Sequence, residues 1–398
     1  MKLFILLPRV PYPTEKGDKL RAFNQIKQLS KNHEIILCAL NDSVLHEKAL
    51  SVLSKYCKSV HIIHISKITI VFNLIKTIFT DKPLQVGYYY NKKTAGKIKE
   101  IIDFYNPDHI FCQLIRVAEY VKGISIPKTL DYQDVFSKGV ERRLDSSPSY
   151  IRPFLRLEHK RLLKYEHDVF SEFDNRIIIS KPDRDHIPHP DREKIVVVPN
   201  GVDADFFKPI ESEKEFDLVF TGNMGYPPNI NAAEFLVLKI LPFVLKRKPD
   251  ITLLIAGASP HLRVSVLKSS NVDVTGWVSD MRECYAAARI FIAPMQLGTG
   301  LQNKLLEAMA MQVPCITSPL ANLALQAKEN EEILIANTPE EYADHILMLL
   351  NNPARSKEIA MNGYNYVLRN YSWERETAKI EELIQHPAST IQYPASSI

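Results

Sequence analysis

The chain has 398 residues, 45% of them hydrophobic and 24% charged, a globular composition with room for two full cores that excludes a disordered or fibrous protein. The net charge of +4 is spread unevenly, with +8 on residues 1–205 and −4 on residues 206–398. A basic half admits nucleic acid, an anionic membrane surface or an anionic acceptor as partner; no nucleic-acid-binding motif accompanies it, so nucleic acid drops out.

The five cysteines (Cys38, Cys57, Cys112, Cys284, Cys315) are odd in number and contain no CxxC, so they indicate neither a disulfide framework nor a zinc site and fit a reducing cytoplasm. The opening MKLFILLPRV is cut by Pro8 and reads as a first strand, not a signal peptide. No run reaches the roughly 18 uninterrupted apolar residues of a membrane span.

In chain order, Leu3–Leu7 predicts a strand, Lys19–Ser30 a helix and His33–Leu40 the next strand, a Rossmann-like opening. The connection Pro8–Asp18 is long for such a unit and holds Gly17 just before the helix, with Lys16, Lys19 and Arg21 around it. These basic residues are either anion-facing or a solvated helix start. The GxGxxG fingerprint of nicotinamide enzymes is missing here. Val60–Ile65 is a further strand. Ile68–Phe79 (ITIVFNLIKTIF) carries one charge, Lys76, and predicts a buried helix; the alternative is an interfacial helix drawn to a membrane by the lysines from Lys67 to Lys99.

His109–Gln113 and Lys128–Asp131 are short buried strands, the second running into Asp131-Tyr132-Gln133-Asp134. Strand ends are where α/β sites collect side chains, so Asp134 is either a site residue or the N-cap of the following helix. Tyr150–Phe170 has helical spacing and a basic face that reads as solvated surface, and Arg176–Ser180 is a strand. His186 and His189 have an HxxH spacing, but the prolines around them break the helix a metal pair needs. After Ile195 the Asn200-Gly201 turn precedes a charged linker over Lys208–Glu215.

Asp217–Thr221 followed by Gly222-Asn223-Met224-Gly225 and a helix from Asn231 reads as strand, glycine loop, helix, and opens a second Rossmann-like unit. Ile251–Gly257 is a buried strand, and Val272–Met281 contains a turn at Gly276 with Trp277 as a packing aromatic. Ile290–Ser318 (IFIAPMQLGTGLQNKLLEAMAMQVPCITS) repeats the pattern: a strand, a loop at Gly298-Thr299-Gly300, a helix over Leu305–Met311 and a second strand at Cys315–Thr317. A helix N-terminus after a glycine loop offers unpaired N–H groups and the positive end of the macrodipole, so phosphate is its natural guest. Lys304 adds a point charge one turn in, and a carboxylate at Glu307 on the same face suits paired sugar hydroxyls. Tyr371–Glu374 starts a last helix that ends near Ile384, and Gln385–Ile398 reads as a flexible tail.

The run GTGLQNKLLEAMAMQVPCITS resembles the donor-binding signature of family 4-type, or group 1, glycosyltransferases of the GT-B fold, in their exopolysaccharide-associated branch. The segments around Gly17, Asp131–Asp134, Ile195–Pro209, Gly222–Gly225, Val272–Met281 and Tyr371–Glu374 agree with it. The fold this implies is α/β, with two Rossmann-like domains facing a cleft: residues 1–207 for the acceptor, 208–371 for the donor nucleotide, and 372–398 as a crossing helix and tail. The implied reaction moves a hexose-type sugar, with retention, from a nucleotide-sugar donor to a glycan or polyprenyl-linked acceptor in cell-surface polysaccharide biosynthesis.

By the same resemblance Glu307 would hold the ribose hydroxyls, and the backbone of Gly222 and Asn223 would approach the donor phosphate. Gly276 would border the base, while Gly298, Thr299, Gly300, Leu301 and Asn303 would face the diphosphate and sugar. Gly17 would reach in from the first loop, Lys304 would neutralise the leaving group, and Asp134 would stand on the acceptor side; Asp134, Lys304 and Glu307 are thus the catalytic candidates. Two departures stand out: the first of the family's two glutamates, eight positions before Glu307, falls on Thr299, and the family's Arg and Lys after the Gly222 loop give way to Asn229, Asn231 and Glu234. No cofactor and no metal is expected, since the second domain, residues 208–371, has no DxD-like motif. A catalytically silent sugar-nucleotide-binding partner fits the missing glutamate, and a GT-B sugar-nucleotide epimerase is disfavoured by the EAMA helix. Peripheral contact with the cytoplasmic face of the inner membrane is a further expectation.

Overall fold

The computed structural model describes residues 1–298 and 300–385, so the expected tail beyond Gln385 lies outside the described residues. Their packing divides the chain into two units, Met1–Pro199 with the chain from Glu374 onward, and Asn200–Trp373.

The first unit is built on seven strands: β1 (Lys2–Leu7), β2 (Glu34–Asn41), β3 (Ser59–His64), β4 (His109–Gln113), β5 (Lys128–Asp131), β6 (Asn175–Ile178) and β7 (Val196–Val197). They pair in parallel in the order β3-β2-β1-β4-β5-β6-β7. Leu3–Leu7 is buried at every position, as expected where helices cover both faces of a parallel sheet. Leu3, Ile5 and Leu7 join one core with Ile26 of helix α1 (Gly17–Leu29), and Phe4 and Leu6 join a second core on the opposite face. Helices α2 (Lys67–Ile78) and α3 (Arg152–Phe170) belong to the same unit.

The second unit repeats the winding with β8 (Phe216–Thr221), β9 (Leu253–Ala256), β10 (Val272–Val274), β11 (Ala288–Ala293), β12 (Cys315–Thr317) and β13 (Leu334–Ile335), in the order β10-β9-β8-β11-β12-β13. Helix α4 (Pro227–Phe235) follows β8 and α5 (Asn303–Ala310) follows β11. The helical run Pro227–Leu245 is long and apolar enough to cross a membrane by length and composition, but Ala233, Leu236, Ile240 and Val244 are buried in this unit's core. Three helices with no counterpart in the predicted elements, Pro319–Leu325, Pro339–Asn351 and Pro353–Asn370, each begin on a proline behind a capping Ser318, Thr338 or Asn352. The helix Trp373–Gln385 then returns to the first unit, where Ile380, Leu383 and Ile384 pack with Leu3 and Ile5.

The units divide at Pro199, ahead of the expected boundary at residue 207, because residues 201–210 pack on the second unit. Val202 donates its N–H to Tyr371 O, a Cβ at Gly201 would lie 2.3 Å from the Trp373 amide, and Phe207 and Ile210 cover the second core.

Three local expectations are corrected. Helix α2 is not buried: Ile70 and Thr77 face the protein, whereas Ile68, Val71, Phe72, Ile75, Ile78 and Phe79 are exposed. Trp277 is 64% exposed and does not pack. Arg21 is no solvated helix-start residue; it is fully buried and paired with Asp131, Nε to Oδ2 at 2.6 Å. In the HxxH pair, the His189 ring stacks on Phe170 with centroids 3.7 Å apart.

Candidate functional site

β8 and β11 are neighbours in the middle of the second sheet, and connections from them run to opposite sides of it. At such a reversal the loops leaving the strand ends diverge and open a crevice at the carboxyl edge. The loop at Gly222-Asn223 leaves β8 and α5 follows β11, so Lys304 in the first turn of α5 meets the Gly222 loop.

The Gly222 loop is held by steric fit. Gly222 has φ +150°, and a Cβ on it would lie 2.7 Å from Asn229 Nδ2 and 3.1 Å from Lys304 Nζ. Gly257, at the end of β9, has φ +142°, and a Cβ there would sit 1.8 Å from the Gly222 carbonyl oxygen. Two loops thus touch backbone to backbone, an approach only glycine permits. Asn223 Oδ1 accepts from the Gly225 N–H at 2.9 Å, and Asn223 O accepts from Asn229 Nδ2 at 2.9 Å, which ties the loop to the first turn of α4.

Asn229 is the bridge between the two segments. Its Oδ1 accepts from Lys304 Nζ at 2.5 Å, and the same ammonium lies 4.7 Å from the centre of the Phe220 ring. Surrounded in this way, Lys304 is pushed down to about 7 by burial, against the upward pull of Glu307. The Gln302 side chain does not cap α5, so the helix meets the loop with uncapped amides. Gln302 Nε2 instead donates to Gly300 O at 2.9 Å, and Asn303 Oδ1 accepts from Asn200 Nδ2 at 3.0 Å.

One turn on, Glu307 Oε2 accepts from the Tyr285 hydroxyl at 2.8 Å, and that hydroxyl is 2.8 Å from Thr221 Oγ1. Since Tyr285 donates to the carboxylate, Thr221 is the donor in the second bond, giving a relay Thr221–Tyr285–Glu307. Burial pushes the Glu307 carboxyl up, while the tyrosine bond and Lys304 pull it back. Among the described residues the carboxylate is held through one oxygen.

Gly222, Asn223, Lys304 and Glu307 therefore form one cluster, with Leu301 and Asn303 at the entry to α5. Gly298 has φ +93° and, among the described residues, no neighbour within 4 Å of a Cβ; Thr299 lies outside the described residues. Gly276 follows β10, an edge strand two places from β8, and is not part of this cluster.

Gly17 and Asp134 belong to the first unit. Gly17 is the first residue of α1, with nothing within 4 Å of a Cβ. Asp131 is consumed structurally: besides Arg21 it accepts from Gln25 Nε2 at 3.2 Å and the Gln133 N–H at 3.1 Å. The bonded turn, with Gln133 at φ +58°, leaves Asp134 at its exposed end. Asp134 Oδ1 accepts the N–H of Val135 at 2.8 Å and does not cap the helix Phe136–Ser146, whose N-cap is Val135.

Sequence reasoning missed Tyr285 and the bridging role of Asn229. Neither sits in a spacing pattern; only the strand-end glycine at 257 carried a readable signal.

The family model for glycosyl transferases group 1 matches residues 215–352, which contain the whole cluster. Residues 215–352 carry a group 1 glycosyltransferase domain. Over 405 aligned positions this glycosyltransferase is 25% identical to an uncharacterized 44.6 kDa protein in the cps region of Klebsiella pneumoniae, covering 95% of this chain and 98% of that one. A GDP-mannose-dependent monoacylated alpha-(1-6)-phosphatidylinositol monomannoside mannosyltransferase of Corynebacterium glutamicum is 27% identical over 210 residues, 47% of this chain and 55% of the relative. Among solved structures, sucrose-phosphate synthase from Thermosynechococcus elongatus aligns with a TM-score of 0.70 at 15% identity, covering 97% of this glycosyltransferase and 98% of that chain. Anabaena HepE in complex with UDP aligns with a TM-score of 0.69 at 13% identity, covering 97% and 100%. At such identities the likeness concerns the fold, and the fold is GT-B.

Proposed function

We propose that this glycosyltransferase moves a sugar from a nucleotide-sugar donor to a glycan or lipid-linked acceptor in cell-surface polysaccharide biosynthesis, with retention and without a metal. The observation that carries the reading is Lys304, whose Nζ sits against the Gly222 loop and beside the uncapped start of α5. Backbone amides of the loop, the helix terminus and the ammonium together supply the positive environment a departing diphosphate needs. Lys304 stands in for the basic pair missing after Gly222, and the absence of a DxD motif from residues 208–371 is the ground for proposing metal independence.

In this reading Glu307, held by Tyr285 through one oxygen, accepts the ribose hydroxyls with the other, and Asp134 serves the acceptor side. The cps-region relative supports the polysaccharide role, and HepE, solved in complex with UDP-glucose, supports a nucleotide-sugar donor. The test is a thermal-shift and hydrolysis screen against UDP-, GDP-, ADP- and dTDP-sugars, with and without EDTA and then with lipid-linked acceptors. One donor should raise the melting temperature and be turned over in EDTA. Loss of turnover in EDTA would end the metal-free reading, and binding without turnover would convert the assignment to a silent partner.

A further inference from the structure

Helix α2 carries apolar residues on both of its faces. Ile70, Leu74 and Thr77 face the protein, and α2 packs so closely there that a Cβ at Gly87 would lie 1.9 Å from Thr77 Oγ1. On the opposite side Ile68 is 71%, Phe72 68% and Phe79 84% exposed, with Val71, Ile75 and Ile78 each more than half exposed. At about 100° per residue these six side chains fall in one arc of roughly 120°, centred opposite the buried residues. Lys67 and Lys76 flank the arc on its two edges by the same geometry.

The patch continues onto α3. Arg161 Nη2 donates to Ile78 O at 2.9 Å, which brings α3 to the end of α2. On α3, Leu157 and Phe154 lie one and two turns before Arg161 on its side of the helix and are 47% and 51% exposed. A contiguous apolar surface of this extent is more than a solvated monomer ordinarily leaves to water.

Its rim decides the occupant. Residues 67–99 hold seven lysines and one acidic residue, Asp81, and on α3 Arg161 and Lys164 lie on the side of Phe154 and Leu157, with Asp168 the acid on that side. A second copy of the chain meeting this face by two-fold symmetry would set lysine against lysine. An anionic lipid surface matches both parts, taking the apolar arc below the headgroups while the lysines reach the phosphates. With 12 residues, α2 is too short to span a bilayer and lies along its surface.

We infer that the exposed face of α2, extended by Phe154 and Leu157, docks this protein on an anionic membrane surface. This does not rest on the identity of the donor or on the Lys304 site. The full chain should sediment with vesicles of equimolar phosphatidylcholine and phosphatidylglycerol, and weakly with phosphatidylcholine alone. The double variant Phe72→Ser, Phe79→Ser should bind at least about tenfold more weakly, as removal of two inserted aromatics requires, with an unchanged melting temperature. Lys67→Gln with Lys76→Gln, which leaves the apolar arc intact, should weaken binding several-fold and lower its salt sensitivity. Failure of the wild type to sediment with the mixed vesicles overturns the inference. So does equal sedimentation of the Phe72, Phe79 variant, or a concentration-dependent dimer that this variant abolishes.

Discussion

Replacing Lys304 with methionine separates a ligand-binding lysine from a structural one, because the two roles give opposite signs. Methionine keeps a flexible apolar stem over Phe220 but removes the ammonium that lies against Asn229 and the Gly222 loop. In the ligand-free protein burial already works against the charge, as the fall to about 7 shows. Relief of that desolvation is worth about 2 kcal/mol after discounting for the side chain's remaining solvent contact. Leaving Asn229 Oδ1 without its donor costs about 1 kcal/mol in the other direction. The ligand-free variant should therefore be at least as stable as the wild type in chemical denaturation. Donor binding should suffer, since a charge-assisted bond to phosphate is worth about 1.5–3 kcal/mol, or roughly 10- to 150-fold in Kd by calorimetry. A variant that loses more than about 2 kcal/mol of stability while binding donor normally would refute the reasoning and make Lys304 a packing residue.

The titration of Lys304 near 7 gives donor affinity a pH dependence. A bound diphosphate favours the ammonium, so affinity should be full below about pH 7, fall by up to about tenfold per unit above it, and lose this slope in Lys304→Met. Gly257→Ala would drive a methyl into the Gly222 carbonyl at 1.8 Å and should cost more than about 3 kcal/mol in denaturant unfolding. Arg21→Ala strands a fully buried Asp131 and should cost about 3–5 kcal/mol, most of it recovered when Arg21→Met is combined with Asp131→Leu. His109 is buried beside Thr129 Oγ1 at 2.8 Å, and burial lowers it to about 4. Its folded value lies below the unfolded one, so its contribution is intact above about pH 6.5 and lost as pH falls to about 4, up to about 3 kcal/mol, a loss that His109→Gln should not show.

The alternation of short apolar runs with helical segments determined two parallel-sheet units from the sequence alone, because parallel strands covered on both faces must be apolar throughout, as Leu3–Leu7 and Ile290–Ala293 are. The glycine at 222 was likewise legible, since its φ of +150° constrains residue type locally, and so was the placing of Lys304 and Glu307 on one helix. Pairings between distant segments were not. That Asn229 receives Lys304, that Tyr285 holds Glu307 and that Gly257 backs onto Gly222 depend on the strand order β9-β8-β11, which brings together residues up to 75 positions apart. The same holds for Arg21, whose charge reads as surface until α1 is laid against the end of β5. Helix α2 shows the limit from the other side: its sequence is apolar around most of its circumference, and periodicity cannot tell which arc meets the protein. Only the close packing of Thr77 against Gly87 decides that, and it turns Phe72 and Phe79 outward.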